Sequence, residues 1–306
     1  MRIITLAILM AMSVHFVEAC PIEVGGFTKG DAEGLEIGED SWHIFIKKKK
    51  NRMSKRQFND IINKAVSIYG PIIEKLGGKL KVKKQWWHPR VNAFAHRTGN
   101  TWHLTFTGGM ARHKDQTPDG FAAVVCHEIG HHIGGYPRYP GDWASNEGQS
   151  DYFATAKCFK KLFGSDFNNA DLVADLIFDI GNPIERKCAD AYPADPQAYY
   201  TCMRSIKAAQ AISNVLASLS KDKKPEVGTP SSKKVDIHSD AHPRAQCRLD
   251  TEVQGAICNK PIEIPYGTSD YSKGYCTRAE GYIEGVRPRC WFSPKQAERE
   301  SLAAWF

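Results

Sequence analysis

Apolar residues recur at helical spacing from Phe58 through Ile61, Ile62, Ala65, Tyr69, Ile72, Ile73 and Leu76, a stripe that predicts one amphipathic helix. Ser54 and Gln57 stand three apart just ahead of it as a capping box; Gly70-Pro71 should bend the helix and Gly77-Gly78 should end it. The period then falls to two. Leu80, Val82 and the Trp86-Trp87 pair predict a strand, and two runs, 91–97 and 101–107, predict a hairpin turning at Thr98-Gly99-Asn100. Helical spacing returns and dominates to about Ser220, including a helix over Asn169 to Ile180 and a long one begun by Asp195-Pro196. Lysine, proline and serine crowd 221–236, with hardly an apolar residue, so a mobile loop is expected there. The whole reads as α+β: a small sheet and hairpin, a mostly helical C-terminal half, and a short cysteine-bearing end.

The best-bounded helix carries the chemistry. Thr117 suits its N-cap, Pro118 its first position and Asp119 its first turn, and Gly134-Gly135 with Pro137 stop it. Within it lies His127-Glu128-Ile129-Gly130-His131. Histidines four apart leave one face of a helix and can share one metal ion; the carboxylate beside the first can act as a general base. Two solvated surface histidines are the competing explanation. A catalytic zinc needs a third protein ligand. The HExxHxxGxxH pattern is excluded, because Pro137 stands where its last ligand would be. Glu147 and Asp151 lie one short loop downstream, four apart on a predicted helix. Glu147 is assigned to the metal and Asp151 to the outer N–H of a ligating histidine; acidic residues merely favouring a helix dipole are the alternative.

Three segments in order carry a resemblance: HEIGH with Glu147 and Asp151; upstream, Asn92-Ala93-Phe94-Ala95 followed by Gly99-Asn100 and Gly108-Gly109; downstream, His242-Pro243 with Arg248 six positions after the histidine. Over about residues 80 to 260 the chain resembles the HtpX-like and CAAX-prenyl-protease-like zinc metallopeptidases, which are gluzincins. The resemblance implies a zincin-like domain over 54–260, one zinc ion per chain, a peptide or protein substrate, His242 as a donor to the reacting oxygen and Arg248 as its support. It also implies that the strand Asn92–Ala95 pairs with an extended substrate, although a purely structural strand explains it equally well. Ser150 departs from the alanine of the family's ExxAD segment, and no transmembrane helix is expected beyond the N-terminus, so the family's membrane substrates do not carry over. A zinc-binding envelope or adhesion module without turnover is the alternative function, and a hydrolase of non-peptide amides is a third.

Composition bears on the compartment. Met1-Arg2 and the short apolar run Ile3 to Met12, with Val17-Glu18-Ala19 before Cys20, read as a signal peptide over 1–19. An extended lead-in follows over 20–53. Nine cysteines then point to disulfides in a secreted or periplasmic protein, with lipid anchoring through Cys20 as an alternative. Local closure favours Cys188–Cys202, Cys247–Cys258 and Cys276–Cys290, and more weakly Cys126–Cys158; residues 261–306 form a stapled extension. The net charge is +7, with lysine runs at 47–50 and 79–84. These suit acidic polymers or membrane surfaces, or protect a sheet edge. No nucleic-acid module accompanies them, so nucleic-acid binding is not expected.

Overall fold

The computed structural model describes residues 53–177 and 182–303. The expected signal peptide, Cys20 and the lysine run at 47–50 fall outside them. Helix α1 (Lys55–Lys75) begins at the Ser54–Gln57 capping box and continues past Pro71 to end just before Gly77. Strand β1 (Lys79–Gln85) follows; the hairpin β2 (Ala93–Thr98) and β3 (Thr101–Thr107) turns where Gly99 takes a positive φ of 57°. Sheet order is β1-β3-β2, with β1 parallel to β3 and β2 antiparallel to it. Trp86 and Trp87 lie beyond the strand: Trp86 turns inward onto Phe58, and Trp87 stays 67% exposed.

After the single turn α2 (Gly108–Arg112) comes α3 (Pro118–Ile133), capped by the Thr117 hydroxyl accepting from Gly120 N and ended at Gly134. Its hydrophobic residues are buried on all sides, because the sheet, α1, the helix that follows and a later long helix all pack against it. Helix α4 (Glu147–Phe153) continues through a π-helical turn (Ala154–Phe159) into α5 (Lys160–Phe163). Of the helix expected over Asn169 to Ile180, the described part is two short pieces, α6 (Asn169–Leu172) and α7 (Ala174–Ile177), parted at Val173, while 178–180 fall outside the described residues. Val173 is fully buried, and its φ of −121° lies outside helical geometry. Packing of that one valine overrides the local helical pattern. Helices α8 (Pro183–Ala191), α9 (Pro196–Ser220), α10 (Ala245–Ile257) and α11 (Pro294–Ala303) complete the α+β architecture.

Four disulfides fasten it: Cys126–Cys158, Cys188–Cys202, Cys247–Cys290 and Cys258–Cys276. The first two match expectation and the last two correct it. Cys247 lies near the start of α10 and Cys258 caps its end. Eleven residues of helix put the two roughly 16 Å apart, beyond the roughly 7 Å that a disulfide can span. Each cysteine pairs instead with the C-terminal segment, at Cα separations of 6.0 and 5.8 Å. That segment buries Trp291 and Phe292 with Tyr136 in a small core of its own. Residues 221–244 contain no helix or strand, but backbone bonds from Val235 N to Arg289 O and from Ser239 N to Trp291 O tie them down.

Four disulfides fit an extracellular or otherwise oxidising compartment. Among the described residues no helix is long and apolar enough to cross a membrane.

Candidate metal centre

Two helices that approach closely build the site. Gly130 makes the approach possible: a Cβ there would meet Ser150 Cα at 3.0 Å and the Phe153 ring at 3.1 Å. The Cys126–Cys158 disulfide ties the same two segments together one residue before His127. Across this contact His127, His131 and Glu147 converge, with donor atoms all within 4.8 Å of one another and all three residues fully buried. Glu147 Oε2 lies 3.4 Å from His127 Nε2, and Oε1 lies 3.6 Å from His131 Nε2.

The outer ring nitrogens are held. His127 Nδ1 meets Asp151 Oδ1 at 2.7 Å, and His131 Nδ1 meets the Ser145 carbonyl at 2.8 Å. Both partners can only accept, so both histidines carry Nδ1–H and turn Nε2 toward Glu147. Ser150, the departure noted in the sequence, brings its hydroxyl to 3.0 Å from His131 Nδ1. Arg248 grips Asp151 with two bonds, Nε to Oδ2 at 2.8 Å and Nη2 to Oδ1 at 2.7 Å, and reaches Glu147 Oε2 at 3.3 Å. His242 Nε2 comes within 3.4 Å of Glu147 Oε1. The structure thus brings together His127, His131, Glu147, Asp151, His242 and Arg248, residues spread over more than a hundred positions of chain.

Burial sets the electrostatics. It pushes Glu147 up, yet the imidazoles of His242, His127 and His131 outweigh it and hold the carboxyl well below its usual range. His131 is driven down to about 4 by burial. His127 is driven down by burial too, but Asp151 and then Glu147 reverse the direction and raise it. Glu128 is pushed up to about 8, chiefly by burial. Neither of its carboxyl oxygens has a hydrogen-bond partner among the described residues. A buried acid left that way costs folding free energy, and keeping its proton lowers that cost.

The donor set is two imidazoles and a carboxylate, the composition of three-ligand sites that leave a coordination position open. The His127–His131–Glu147 group can hold a metal ion. Strand β2, with Asn92 just before it and Ala93, Phe94 and Ala95 in it, is an edge strand whose other side has no partner strand among the described residues. The Asn92 side chain is spent locally, accepting from Ala93 N.

Tyr139 was not foreseen. Its hydroxyl donates to Glu147 Oε1 at 3.2 Å from the loop between the two helices. Ser145 and Trp291 were missed as well. The Trp291 indole lies against Gly148, where a Cβ would come within 2.1 Å of the ring, so it fixes the turn that carries Glu147. No spacing rule reaches that far along the chain. Comparison with family models, with curated proteins and with solved structures finds no match.

Proposed function

We propose that the chain is a secreted, zinc-dependent metalloendopeptidase, a gluzincin in the sense of the resemblance drawn from its sequence. The observation that carries this reading is Glu128: a buried carboxyl group, without a hydrogen-bond partner among the described residues, beside a two-histidine, one-carboxylate group. A site that only held a metal for structural reasons would not require it.

Zinc bound by His127, His131 and Glu147 would supply Lewis-acid polarisation of a carbonyl and acidification of a water. The protein's own residues supply the rest. Asp151 and the Ser145 carbonyl fix both imidazoles with their Nε2 lone pairs inward. Arg248 holds Asp151 in turn. Glu128 takes a proton from water as its oxygen attacks the scissile carbonyl carbon, then delivers that proton to the nitrogen as the C–N bond breaks. Glu128 has to be ionised for the first transfer, which a cation beside it would favour, and neutral after it for the second. His242, whose Nε2 lies 3.4 Å from Glu147 Oε1, takes in this reading the role of donor to the oxygen that gains charge.

One observation favours a second reading, a zinc-holding module without turnover. The three ligand side chains are at most 1% exposed. The nearby segment that bears His242 is itself fastened, with Asn146 Nδ2 donating to Asp240. Glu128→Gln separates the readings. The hydrolase reading expects peptide-library cleavage by the zinc-loaded protein to fall by at least about a hundredfold, with zinc content unchanged by elemental analysis. Equal turnover in that variant removes Glu128 from the mechanism; no cleavage by the wild-type protein favours the module.

A further inference from the structure

The metal centre lies beneath the inner side of the sheet, and the outer side is chemically distinct. Side chains two apart on a strand share a face. Lys79, Lys81 and Lys83 therefore stand together on the outward face of β1, all exposed, while Leu80 and Val82 turn inward. The register sets Lys81 beside His103 and His103 beside His96, whose rings stack at 4.3 Å and are nearly parallel. The remaining outward positions of β2 and β3 are threonines and Phe94, so no outward position of the sheet is acidic. Protecting a free edge needs one or two charges, whereas three lysines in register make a continuous track.

Spacing along β1 puts these ammonium groups roughly 6.6 Å apart on a surface about 20 Å long. A row of point charges of that length selects a linear polyanion over a small anion. The hydroxyls of Thr98, Thr101 and Thr105 on the same face offer hydrogen bonds to sulfate or carboxylate oxygens. The face lacks the exposed aromatic platform on which single-stranded bases stack: Phe94 is half-buried, and His96 and His103 are stacked on each other. It also lacks a cluster of exposed apolar side chains that would enter a bilayer. Trp87 is exposed nearby, but it is one residue, and the Lys55 ammonium already lies over its ring at 5.4 Å.

We infer that the outer face of the β1-β3-β2 sheet binds a sulfated or carboxylated linear glycan through Lys79, Lys81 and Lys83. This holds whether or not the metal centre turns over substrate, so the two can fail separately.

Full-length protein titrated with heparin, at several salt concentrations, tests it. Lys79→Gln/Lys81→Gln/Lys83→Gln should weaken binding on the order of 100-fold at low salt and reduce the salt dependence by up to about three ions. Lys221→Gln/Lys223→Gln/Lys224→Gln removes the same charge from an exposed loop and should change binding several-fold at most. Lys81→Glu alone should give an intermediate loss, and a matching far-ultraviolet circular dichroism spectrum establishes that each variant folds. Equal losses in the two triple variants would reduce the effect to net charge and overturn the proposal. Tighter binding to a single-stranded oligonucleotide of equal charge, or to phosphatidylserine vesicles, would overturn it in favour of those partners.

Discussion

Arg248→Leu should destabilise the metal-free protein far more than the metal-loaded one. Arg248 is 2% exposed, and it makes the double bond to Asp151 together with the longer contact to Glu147. Removing it strands two buried carboxylates, with only imidazoles left to offset them. Breaking a buried pair from one side costs about 3–5 kcal/mol, against a total stability of about 5–15 kcal/mol for a domain. With a urea dependence of about 3 kcal/mol per molar, the metal-free midpoint should fall by about 1–1.7 M. A divalent cation between Glu147 and the imidazoles replaces part of the lost positive charge, so the zinc-loaded midpoint should fall by less than half as much. The assay is urea unfolding with disulfides intact, in chelator and in excess zinc. Arg248→Lys keeps the charge but loses the fork, and should fall between. Equal losses with and without zinc would refute the claim that Arg248 and the cation share one electrostatic role; a loss under about 1 kcal/mol would refute the buried pair itself.

Gly148→Ala places a methyl against the Trp291 indole, where 2.1 Å is available, and should cost about 1–3 kcal/mol by thermal melting as well as weaken zinc retention. Replacing Cys126 and Cys158 together by alanine opens a closure of 32 residues, which should cost about 3–4 kcal/mol; retained zinc affinity in that variant would show that the disulfide does not position the ligands. His238 gives a pH test away from the metal. Burial holds its pKa down to about 4, against an upward pull from Glu300, and Ser293 N already donates to its Nδ1. Its contribution is therefore complete above its unfolded value near 6.5 and is lost as pH falls from there towards 4. In chelator, His238→Gln should flatten the decline of the unfolding midpoint between pH 7 and 4.5, and an unchanged slope would reject the assignment.

How much was legible follows from range. The capping box, the Thr117 cap, the hairpin turn and the HExxH spacing are local, and the sequence displays them directly. Glu147 and Asp151 were legible because four-residue spacing on a helix works on any stretch of chain. The Cys247 and Cys258 pairing failed for the opposite reason: nearness in sequence was mistaken for nearness in space, when an intervening helix holds its ends apart. Val173 shows the same limit, since a tertiary contact broke a helix that the local pattern favoured. Tyr139 and Trp291 carry no spacing signal at all. They act on Glu147 through the path of a loop and of a C-terminal segment, which only assembled coordinates reveal.

The charge balance at the centre ties these residues to one requirement. Glu128, Glu147, Asp151 and Glu252 are four buried carboxyl groups, and Arg248 is a permanent cation that touches both Asp151 and Glu147. Glu252 resolves its burial by keeping its proton, being pushed well above its usual range by burial and by Asp151. Glu147 does the reverse and stays ionised while facing two Nε2 atoms. Without a cation, His127 must take up a proton to sit beside it; with one, that proton leaves and the same lone pair becomes a ligand. Binding should therefore release about one to two protons per ion at neutral pH, one from His127 and up to one from Glu128. Calorimetric titrations of zinc in two buffers of different ionisation enthalpy measure that number. A value near zero would mean that His127 is already neutral in the empty site, and that Arg248 alone balances Asp151 and Glu147.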